Sequence, residues 1–247
     1  MKGTGVICIV QARMGSDRLP GKVMKKIMGE PMIGYTLKRL RKCETLTEVV
    51  LATSEADGDT ELAEYVEGIG FSCVRGSEDD VLERYTFANR RFGCGVVVRV
   101  TGDCPLIDPA LVDLTVRAFA ADNVDYLNLD VAGTAINGFN TEVFSAEALE
   151  RTYDIVSKLE DCKNYKEHVT IYMYRHPEEF TLGMVSAGEG LSRPYRLCVD
   201  EIDDFRVVEA IYNHFKNPYP SAREIVGFLD GNSEVAFINR HVQQKKA

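Results

Sequence analysis

Residues 6–24 read VICIVQARMGSDRLPGKVM, and this stretch decides the fold. Its first five residues, 6–10, are continuously apolar, which is typical of a parallel strand that is covered on both faces. The residues that follow combine glycines with cationic side chains instead of continuing the strand. Because ligands bind beyond the carboxyl ends of the strands in open parallel sheets, this loop is a candidate ligand site.

Outward from this strand, short β-branched runs alternate with helical patterns as far as residue 129. Strands are predicted at residues 48–53, 71–74, 96–100 and 125–129, and helices at residues 32–40, 59–68, 78–92 and 109–121. This order predicts an α/β fold with a Rossmann-like, mostly parallel sheet flanked by helices.

The alternation breaks after residue 129, where residues 130–142 are rich in Gly and Asn. Further helices are predicted at residues 146–158, 165–174, 203–215 and 222–229, and strands at residues 180–185 and 195–199. We interpret the chain, 1–247, as one domain with an insertion at 130–190 that returns to the main sheet near residues 196–200. The last seven residues, HVQQKKA, are predicted to be frayed.

Composition excludes several classes of protein. The 247 residues carry a net charge of −9, which disfavours non-specific binding to nucleic acid. No run approaches the roughly 18 consecutive apolar residues of a membrane-spanning helix, and the short apolar run at the start is unlike a signal peptide. The seven cysteines are odd in number and lack CxxC spacing, which favours free thiols and a cytoplasmic location.

The charge is distributed unevenly along the chain. Residues 13–26 contain five cationic side chains and one aspartate, so this loop is locally basic and suits a small polyanion. Gly15 and Gly21 allow backbone N–H groups to turn towards an anion, while Arg13, Arg18 and Lys22 can bind phosphate oxygens. The loop is not a P-loop, because the spacing of its glycines and Val23 depart from GxxxxGK[ST]. The alternative is a solvated basic surface loop.

Acidic side chains follow two other predicted strands. Asp103 comes after residues 96–100, and Asp200 comes after residues 195–199. Carboxylates at strand ends are well placed to bind Mg²⁺, a hard cation that prefers oxygen ligands. Asp203 and Asp204 have a plainer role at the start of the next helix, where acidic groups are favourable.

Five blocks of the sequence carry a family resemblance. They are QARMGSDRLPGKVM after the first strand, RGSEDDVLERY at 75–85, TGDCPLIDP at 101–109, EHVT at 167–170 and VDEIDDF at 199–205. In this order they resemble the cytidylyltransferase family, whose members activate Kdo and sialic-type sugar acids with CMP. The resemblance is strongest to its SpsF branch of spore-coat polysaccharide proteins.

The resemblance implies a function and a set of site residues. It implies the nucleotide-diphospho-sugar transferase type of fold and Mg²⁺-dependent transfer of CMP from CTP to a nonulosonic or 3-deoxy-ulosonic acid, with release of pyrophosphate, for surface polysaccharide biosynthesis. The implied catalytic residues are Arg13, Lys22 and Asp103, and the implied metal ligands are Asp103 and Asp200. The implied nucleotide-binding residues are Ala12, Arg13, Gly15, Ser16, Arg18, Lys22, Thr53, Arg75 and Ser77.

The family places acceptor recognition and homodimer contacts in the insertion. There, Glu142 and His168 are candidates to contact sugar hydroxyls, although His168 is equally suited to bracing the helix packing. The insertion departs from the SpsF-type pattern, since Asn137 stands in place of Pro and Asn140 in place of Asp.

Three other functions compete with this one. The chain is also compatible with a nucleotidyltransferase that uses another nucleotide or a sugar-phosphate acceptor, and with a nucleotide-sugar glycosyltransferase of the same fold. Glycosyl transfer does not need three cations around a leaving triphosphate tail, so the first loop argues against it. The third alternative, a catalytically idle binding protein, is disfavoured because Lys22, Asp103 and Asp200 are all present.

Overall fold

The computed structural model of the protein describes residues 5–129 and 136–244. Its strands are β1 (Val6–Gln11), β2 (Lys26–Ile27), β3 (Glu30–Pro31), β4 (Glu48–Ser54), β5 (Ser72–Gly76), β6 (Val96–Thr101), β7 (Tyr126–Leu129), β8 (Glu142–Ser145) and β9 (Leu182–Val185). Its helices are α1 (Met32–Leu40), α2 (Thr60–Gly68), α3 (Val81–Phe92), α4 (Pro109–Ala121), α5 (Ala146–Val156), α6 (Lys163–Glu167), α7 (Ile171–Arg175), α8 (Ile202–Phe215), α9 (Ala222–Gly231) and α10 (Ser233–Ala236). Within the described ranges, none of these helices has the length and apolar character to span a bilayer.

The main sheet has the strand order β5-β4-β1-β6-β8-β7-β9. The four strands β5, β4, β1 and β6 are parallel to one another, β8 runs antiparallel between β6 and β7, and β9 is parallel to β7. The predicted α/β fold with a mostly parallel sheet flanked by helices is therefore confirmed.

Strand β1 lies in the middle of the sheet and is covered on both faces. Its four central residues, 7–10, are fully buried, as the unbroken apolar run predicts. One face packs against helices that include α1, α2, α4, α8 and α9, and the other against helices that include α3, α5 and α7. With both faces closed, the carboxyl edge of the sheet is where loops and polar side chains collect.

The carboxyl ends of β1, β4 and β6 lie side by side at that edge. Gln11 is paired with Thr101 in β6 and with Ala52 in β4. The loop that follows β1 therefore emerges next to the loop that follows β6, which brings residues 12–21 close to Asp103.

The predicted insertion at 130–190 is more closely tied to the main sheet than the sequence indicated. Strands β8 and β9 fall within it and belong to the main sheet. The predicted strand at 195–199 is wrong, because this extended segment makes only an isolated bridge between Asn137 and Arg196. The backbone N–H groups of Leu197 and Val199 donate instead to the carbonyls of Asn137 and Asp103. Residues 130–135 of the predicted insertion lie outside the described residues.

Two further local predictions are wrong. The helix predicted at 165–174 is divided into α6 and α7, with the break at residues 168–170.

The carboxyl-terminal tail is the second, because its described residues 241–244 contact the rest of the protein instead of being frayed. The carbonyl of Gln243 accepts a hydrogen bond from Arg18, and the Gln244 side chain accepts one from Asn137. The final residues 245–247 of that tail lie outside the described residues.

A buried arginine joins distant parts of the chain. Arg39 in α1 is 1% exposed and donates to the carbonyl of Ile107, 2.6 Å away, before α4. It also donates to the carbonyls of Pro218 and Pro220 at 3.0 and 2.7 Å. These bonds satisfy a charge that would be costly to bury alone, and they fix the carboxyl-terminal helices against α1.

Candidate active site

Lys22 lies at the centre of the site, between two carboxylates. Its Nζ atom is 2.8 Å from Asp103 Oδ2 and 2.9 Å from Asp200 Oδ1, and it donates to the carbonyl of Val199 at 2.7 Å. Burial alone would lower the pKa of Lys22, but Asp103 and Asp200 outweigh it and raise the pKa. The side chain is therefore a buried, fully charged ammonium group at the edge of the sheet.

The turn that holds Lys22 depends on a glycine. Gly21 has φ of 67°, in the left-handed region that favours glycine, and the 3-10 turn Lys22–Met24 begins directly after it. The backbone N–H groups of Ser16 and Gly21 both donate to the carbonyl of Met14, at 2.9 and 3.0 Å. These bonds fold the loop back on itself, so that Lys22 points under it towards the carboxylates.

Asp200 accepts bonds from three cations. Besides Lys22, it is contacted by Arg18 at 2.9 Å and by Arg196, both on its Oδ2 atom. Burial would raise the pKa of Asp200, but the three cations outweigh it and lower the pKa. The name Lys22 cluster is used below for this group of side chains: Lys22, Arg18, Arg196, Asp103 and Asp200.

Asp103 is fixed by the end of β6. The hydroxyl of Thr101 donates to Asp103 Oδ1 at 2.6 Å, and the backbone N–H of Gly102 donates to the carbonyl of Gln11 at 2.8 Å. A β-carbon on Gly102 would lie 2.7 Å from the β-carbon of Ala12, closer than two such atoms approach. Glycine at 102 thus lets the loops after β1 and β6 meet.

Arg13 lies on the outer side of the loop. It forms an exposed ion pair with Glu78, 3.0 Å away, and a β-carbon on Gly15 would be 3.5 Å from the same carboxylate. Each predicted phosphate-binding cation in the loop is thus paired with a carboxylate of the protein. A triphosphate is also anionic and offers oxygen acceptors of the same kind, so it can replace these carboxylates as a partner.

Sequence reasoning missed Asp59, which joins two parts of the site. This buried carboxylate accepts from the backbone N–H of Met14 at 2.6 Å and from the hydroxyl of Thr53 at 3.1 Å. It also accepts from the backbone N–H and the hydroxyl of Ser54. Asp59 therefore ties the loop after β1 to the end of β4. The only local signal was an aspartate at a helix start, which is also what an ordinary cap looks like.

The implied nucleotide-binding residues Thr53, Arg75 and Ser77 lie at the same edge but make internal contacts. Thr53 is fully buried, and Arg75 donates to the carbonyls of Ser54 and Ala56 at 2.9 and 3.0 Å. The Ser77 hydroxyl accepts from the backbone N–H of Asp80 at 3.2 Å. Their contacts with a nucleotide, and those of Ala12 and Ser16, stay predictions.

Glu142 belongs to a second group of charged side chains, beside the first. It pairs with Arg99, while the hydroxyls of Tyr126 and Thr170 donate to its Oε1 atom at 2.5 and 2.9 Å. Arg99 also donates to the Gln11 side chain at 3.0 Å. Burial would raise the pKa of Glu142, but Arg99 and the hydrogen bonds lower it. This group, called the Glu142 cluster, is formed by Glu142, Arg99, Gln11, Tyr126 and Thr170.

His168 lies at the break between α6 and α7, near the Glu142 cluster. Its backbone carbonyl accepts from the N–H of Ile171 at 2.9 Å, and burial lowers the pKa of its imidazole. Asn140 accepts from the N–H of Gly138 at 2.9 Å. The predicted contacts of Glu142 and His168 with an acceptor stay predictions, since the contacts seen here are internal.

The Lys22 cluster fits a divalent cation in its chemistry. Asp103 Oδ2 and Asp200 Oδ1 both point at one cationic atom, the Nζ of Lys22, and both lie within 3 Å of it. Carboxylate oxygens that converge on one point are the ligands that Mg²⁺ prefers. Asp103 and Asp200 are therefore suited to hold Mg²⁺ when Lys22 moves to another partner.

Comparison with known proteins identifies a family that matches this chain and several similar proteins. The family model described as cytidylyltransferase matches residues 7–224. The chain is 34% identical over 239 residues to the spore coat polysaccharide biosynthesis protein SpsF of Bacillus subtilis, a match that covers 94% of this chain and 96% of SpsF. It is 35% identical over 132 residues to the 3-deoxy-manno-octulosonate cytidylyltransferase of Nitratidesulfovibrio vulgaris, or 51% of each chain.

A solved structure is similar over the whole chain. The cytidylyltransferase from Leptospira borgpetersenii superposes with a TM-score of 0.88 at 28% identity, covering 98% of this chain and 100% of that one. The sheet and its flanking helices are thus those of a known nucleotidyltransferase fold.

Proposed function

The chain belongs to the cytidylyltransferase family, and from that premise we propose that it transfers CMP from CTP to a hydroxyl group of a sugar acid and releases pyrophosphate. The acceptor class we propose is a nonulosonic or 3-deoxy-ulosonic acid, and the product would serve surface polysaccharide biosynthesis. Two relatives support both points, since one is a spore coat polysaccharide biosynthesis protein and the other is a 3-deoxy-manno-octulosonate cytidylyltransferase.

The observation that carries this proposal is the position of Lys22 between Asp103 and Asp200, with Arg18 alongside. In the proposed reaction, the acceptor hydroxyl group gives up its proton to water as its oxygen bonds to the α-phosphorus, and the bond from that phosphorus to the bridging oxygen breaks. The bridging oxygen leaves with its electron pair as part of pyrophosphate. Catalysis of this kind depends on positioning the reactants and neutralising charge.

The cations of the first loop have partners that a triphosphate can replace. Lys22 and Arg18 would move from Asp103 and Asp200 to phosphate oxygens, and Arg13 would leave its exposed pair with Glu78. They would then balance the charge that builds up on the leaving pyrophosphate.

Release of Lys22 would leave Asp103 and Asp200 free to hold Mg²⁺. Bound Mg²⁺ neutralises phosphate charge and lowers the pKa of an attacking hydroxyl group. The bond from Thr101 and the turn at Gly102 hold Asp103, so that its carboxylate would point in the same direction before and after Lys22 leaves.

A thermal-shift panel of CTP, UTP, GTP and ATP, each with and without Mg²⁺, tests the proposal. A ligand at 100 times its Kd adds about 2.7 kcal/mol to the free energy of unfolding. For a chain of this size, that raises the melting temperature by roughly 5–11 °C. CTP with Mg²⁺ is expected to give the largest shift. No shift with CTP and Mg²⁺, together with a shift from a nucleoside diphosphate sugar, would overturn the proposal.

The acceptor needs a second measurement. Pyrophosphate release over a panel of sugar acids is expected to be fastest with one nonulosonic or 3-deoxy-ulosonic acid. A homodimer, a cytoplasmic location and the acceptor contacts of Glu142 and His168 stay predictions that this panel does not address.

A further inference from the structure

Arg196 is a member of the Lys22 cluster that the sequence did not single out. Its guanidinium reaches three acceptors at once: Asp200, Asp204 and the side chain of Gln244. The side chain is only 10% exposed. Three partners in three directions hold a planar guanidinium in one orientation.

The first anchor of Arg196 is rigid. Asp204 is fully buried and accepts from Arg196 Nε at 3.0 Å. Its other oxygen accepts from the backbone N–H groups of Asp200 and Glu201, both at 2.9 Å, where it helps to cap α8. Asn239 also donates to Asp204 Oδ1, the oxygen that accepts from Arg196, at 2.8 Å. The same carboxylate thus fixes the backbone of Asp200 and the guanidinium that contacts its side chain.

The second anchor comes from the carboxyl-terminal segment. The amide oxygen of Gln244 accepts from Arg196 and from Asn137 Nδ2, the latter at 2.9 Å. The backbone carbonyl of Asn137 accepts in turn from the N–H of Leu197 at 2.6 Å. Gln244 therefore links Arg196 to Asn137, whose backbone is bonded to the residue that follows Arg196.

The other two cations on Asp200 are held differently. Lys22 and Arg18 reach it from the loop after β1, and under the proposed function both turn to phosphate oxygens. Within residues 5–129 and 136–244, the other contacts of Arg18 are looser, at 3.4 Å to the carbonyl of Gln243 and 3.6 Å to Glu201. Arg196 alone of the three also has a fully buried carboxylate as partner.

We propose that Arg196 is a positioning residue for Asp200. Held by Asp204 and Gln244, it keeps its bond to Asp200 Oδ2 when Lys22 and Arg18 leave, so that Oδ1 stays aimed at the divalent cation. This inference rests on the proposed function, since it concerns the same carboxylate and the same cation. The proposal also gives Gln244 a role in metal binding, because Gln244 helps to hold Arg196, although Gln244 lies outside the first loop.

The test is calorimetric and does not depend on turnover. The probe is a CTP analogue with a methylene group in place of the α,β-bridging oxygen, titrated with and without Mg²⁺. The quantity compared is the gain in analogue affinity that Mg²⁺ produces. Loss of an outer partner of a metal ligand typically costs about 10–100-fold in metal affinity.

Arg196→Lys keeps a charge beside Asp204 but cannot hold three acceptors, and Gln244→Ala removes only the outer anchor. For Arg196→Lys the Mg²⁺-dependent gain is expected to fall roughly 10-fold or more, and for Gln244→Ala by a smaller factor. Affinity without Mg²⁺ is expected to stay unchanged in both. Matched controls are Arg193→Lys, in an exposed pair with Asp230, and Gln243→Ala, which keeps its main-chain oxygen.

Asp200→Asn separates this inference from the proposed function. The inference is overturned if Asp200→Asn abolishes the Mg²⁺-dependent gain while Arg196→Lys retains all of it. If Asp200→Asn also retains the gain, the assignment of Asp200 as a metal ligand fails, and the positioning role of Arg196 fails with it. A fall in affinity without Mg²⁺ equal to the fall with it would likewise overturn the inference, because a merely structural defect acts on both.

Discussion

The Lys22 cluster and the Glu142 cluster lie at the same edge of one sheet, yet they are built from different kinds of element. Two of the three cations in the Lys22 cluster, Lys22 and Arg18, come from the loop after β1. In the Glu142 cluster, Arg99 and Glu142 face each other across paired strands β6 and β8. Loops can rearrange more readily than paired strands, so the two clusters differ in how easily their bonds can be exchanged.

The two clusters also differ in how their charges are balanced. Arg99 and Glu142 neutralise each other, and hydroxyl groups occupy further acceptor positions on the carboxylate. In the Lys22 cluster, three cations share Asp200, and two of them can move to a new anion without leaving it unpaired. A buried ion pair on paired strands supports the fold, while a carboxylate that is shared by several loop cations can give up some of them to a charged ligand.

Among the variants that test this contrast between the clusters, Lys22→Ala is expected to have the largest effect, a loss of turnover. Turnover should fall roughly 1000-fold or more, because a charge aimed at the transferring phosphates is lost. The fold should survive, since Arg18 and Arg196 still neutralise Asp200. Steady-state pyrophosphate release and a thermal melt of the same sample measure the two quantities.

Lys26→Ala is the matched control, because Lys26 is an exposed lysine of the same basic stretch. It should keep both turnover and melting temperature. Near-normal turnover in Lys22→Ala would contradict the assignment of the site.

Glu142→Ala is expected to have the opposite profile, with its main effect on stability. Removing the carboxylate leaves the Arg99 charge unpaired in a mostly buried position, which costs about 3 kcal/mol of unfolding free energy. The melting temperature should then fall by roughly 6–12 °C. Denaturant titration measures the free energy directly.

Glu150→Ala provides the comparison for that variant, because Glu150 pairs with Arg90 on the exposed surface. Its cost should stay below about 1 kcal/mol. If both variants lose equal stability, the Glu142 cluster is no stronger than a surface ion pair, and the contrast between the two clusters breaks down.

The smallest effect is expected from His168→Gln, beside the Glu142 cluster. Burial lowers the pKa of His168, so protons bind to the unfolded chain at a higher pH than to the folded one. The free energy of unfolding therefore falls as the pH drops below the ordinary histidine value of about 6.5. The variant should lose less stability than the wild type between pH 7.5 and pH 5.5 in denaturant titrations. Parallel pH curves for the two proteins would show that His168 does not titrate in this way.

The parallel half of the sheet was predictable because its signals are local. Strand β1 is an unbroken apolar run, helices α1 and α4 were predicted at their observed bounds, and Asp103 follows directly from the end of β6. The first loop was predictable for the same reason, since its glycines and cations follow one another in sequence.

The rest of the sheet and of the candidate site could not be predicted, because it depends on contacts between residues that are distant in the sequence. Strand β8 was not predicted, and it forms by pairing with β6 and β7, which lie elsewhere in the sequence. Residues 195–199 have the composition of a strand, but their N–H groups find carbonyls in loops instead of in a neighbouring strand. The bond of Asp59 to Met14 and that of Arg196 to Gln244 likewise join residues far apart in the chain.

Arg39 has a consequence for the order of events during synthesis of the chain. Domains begin to fold from the amino terminus while about 5–20 residues are added each second. Two of the carbonyls that Arg39 needs belong to Pro218 and Pro220, which leave the ribosome long after β1, β4 and β6. Until then its guanidinium lacks two of its acceptors, so we expect it to stay hydrated and α1 to remain incompletely packed against the sheet. We therefore expect the packing of α1 against the early strands to be completed only after residues 218–220 have been synthesised. A ribosome-bound chain that is stalled before these residues should remain accessible to proteases.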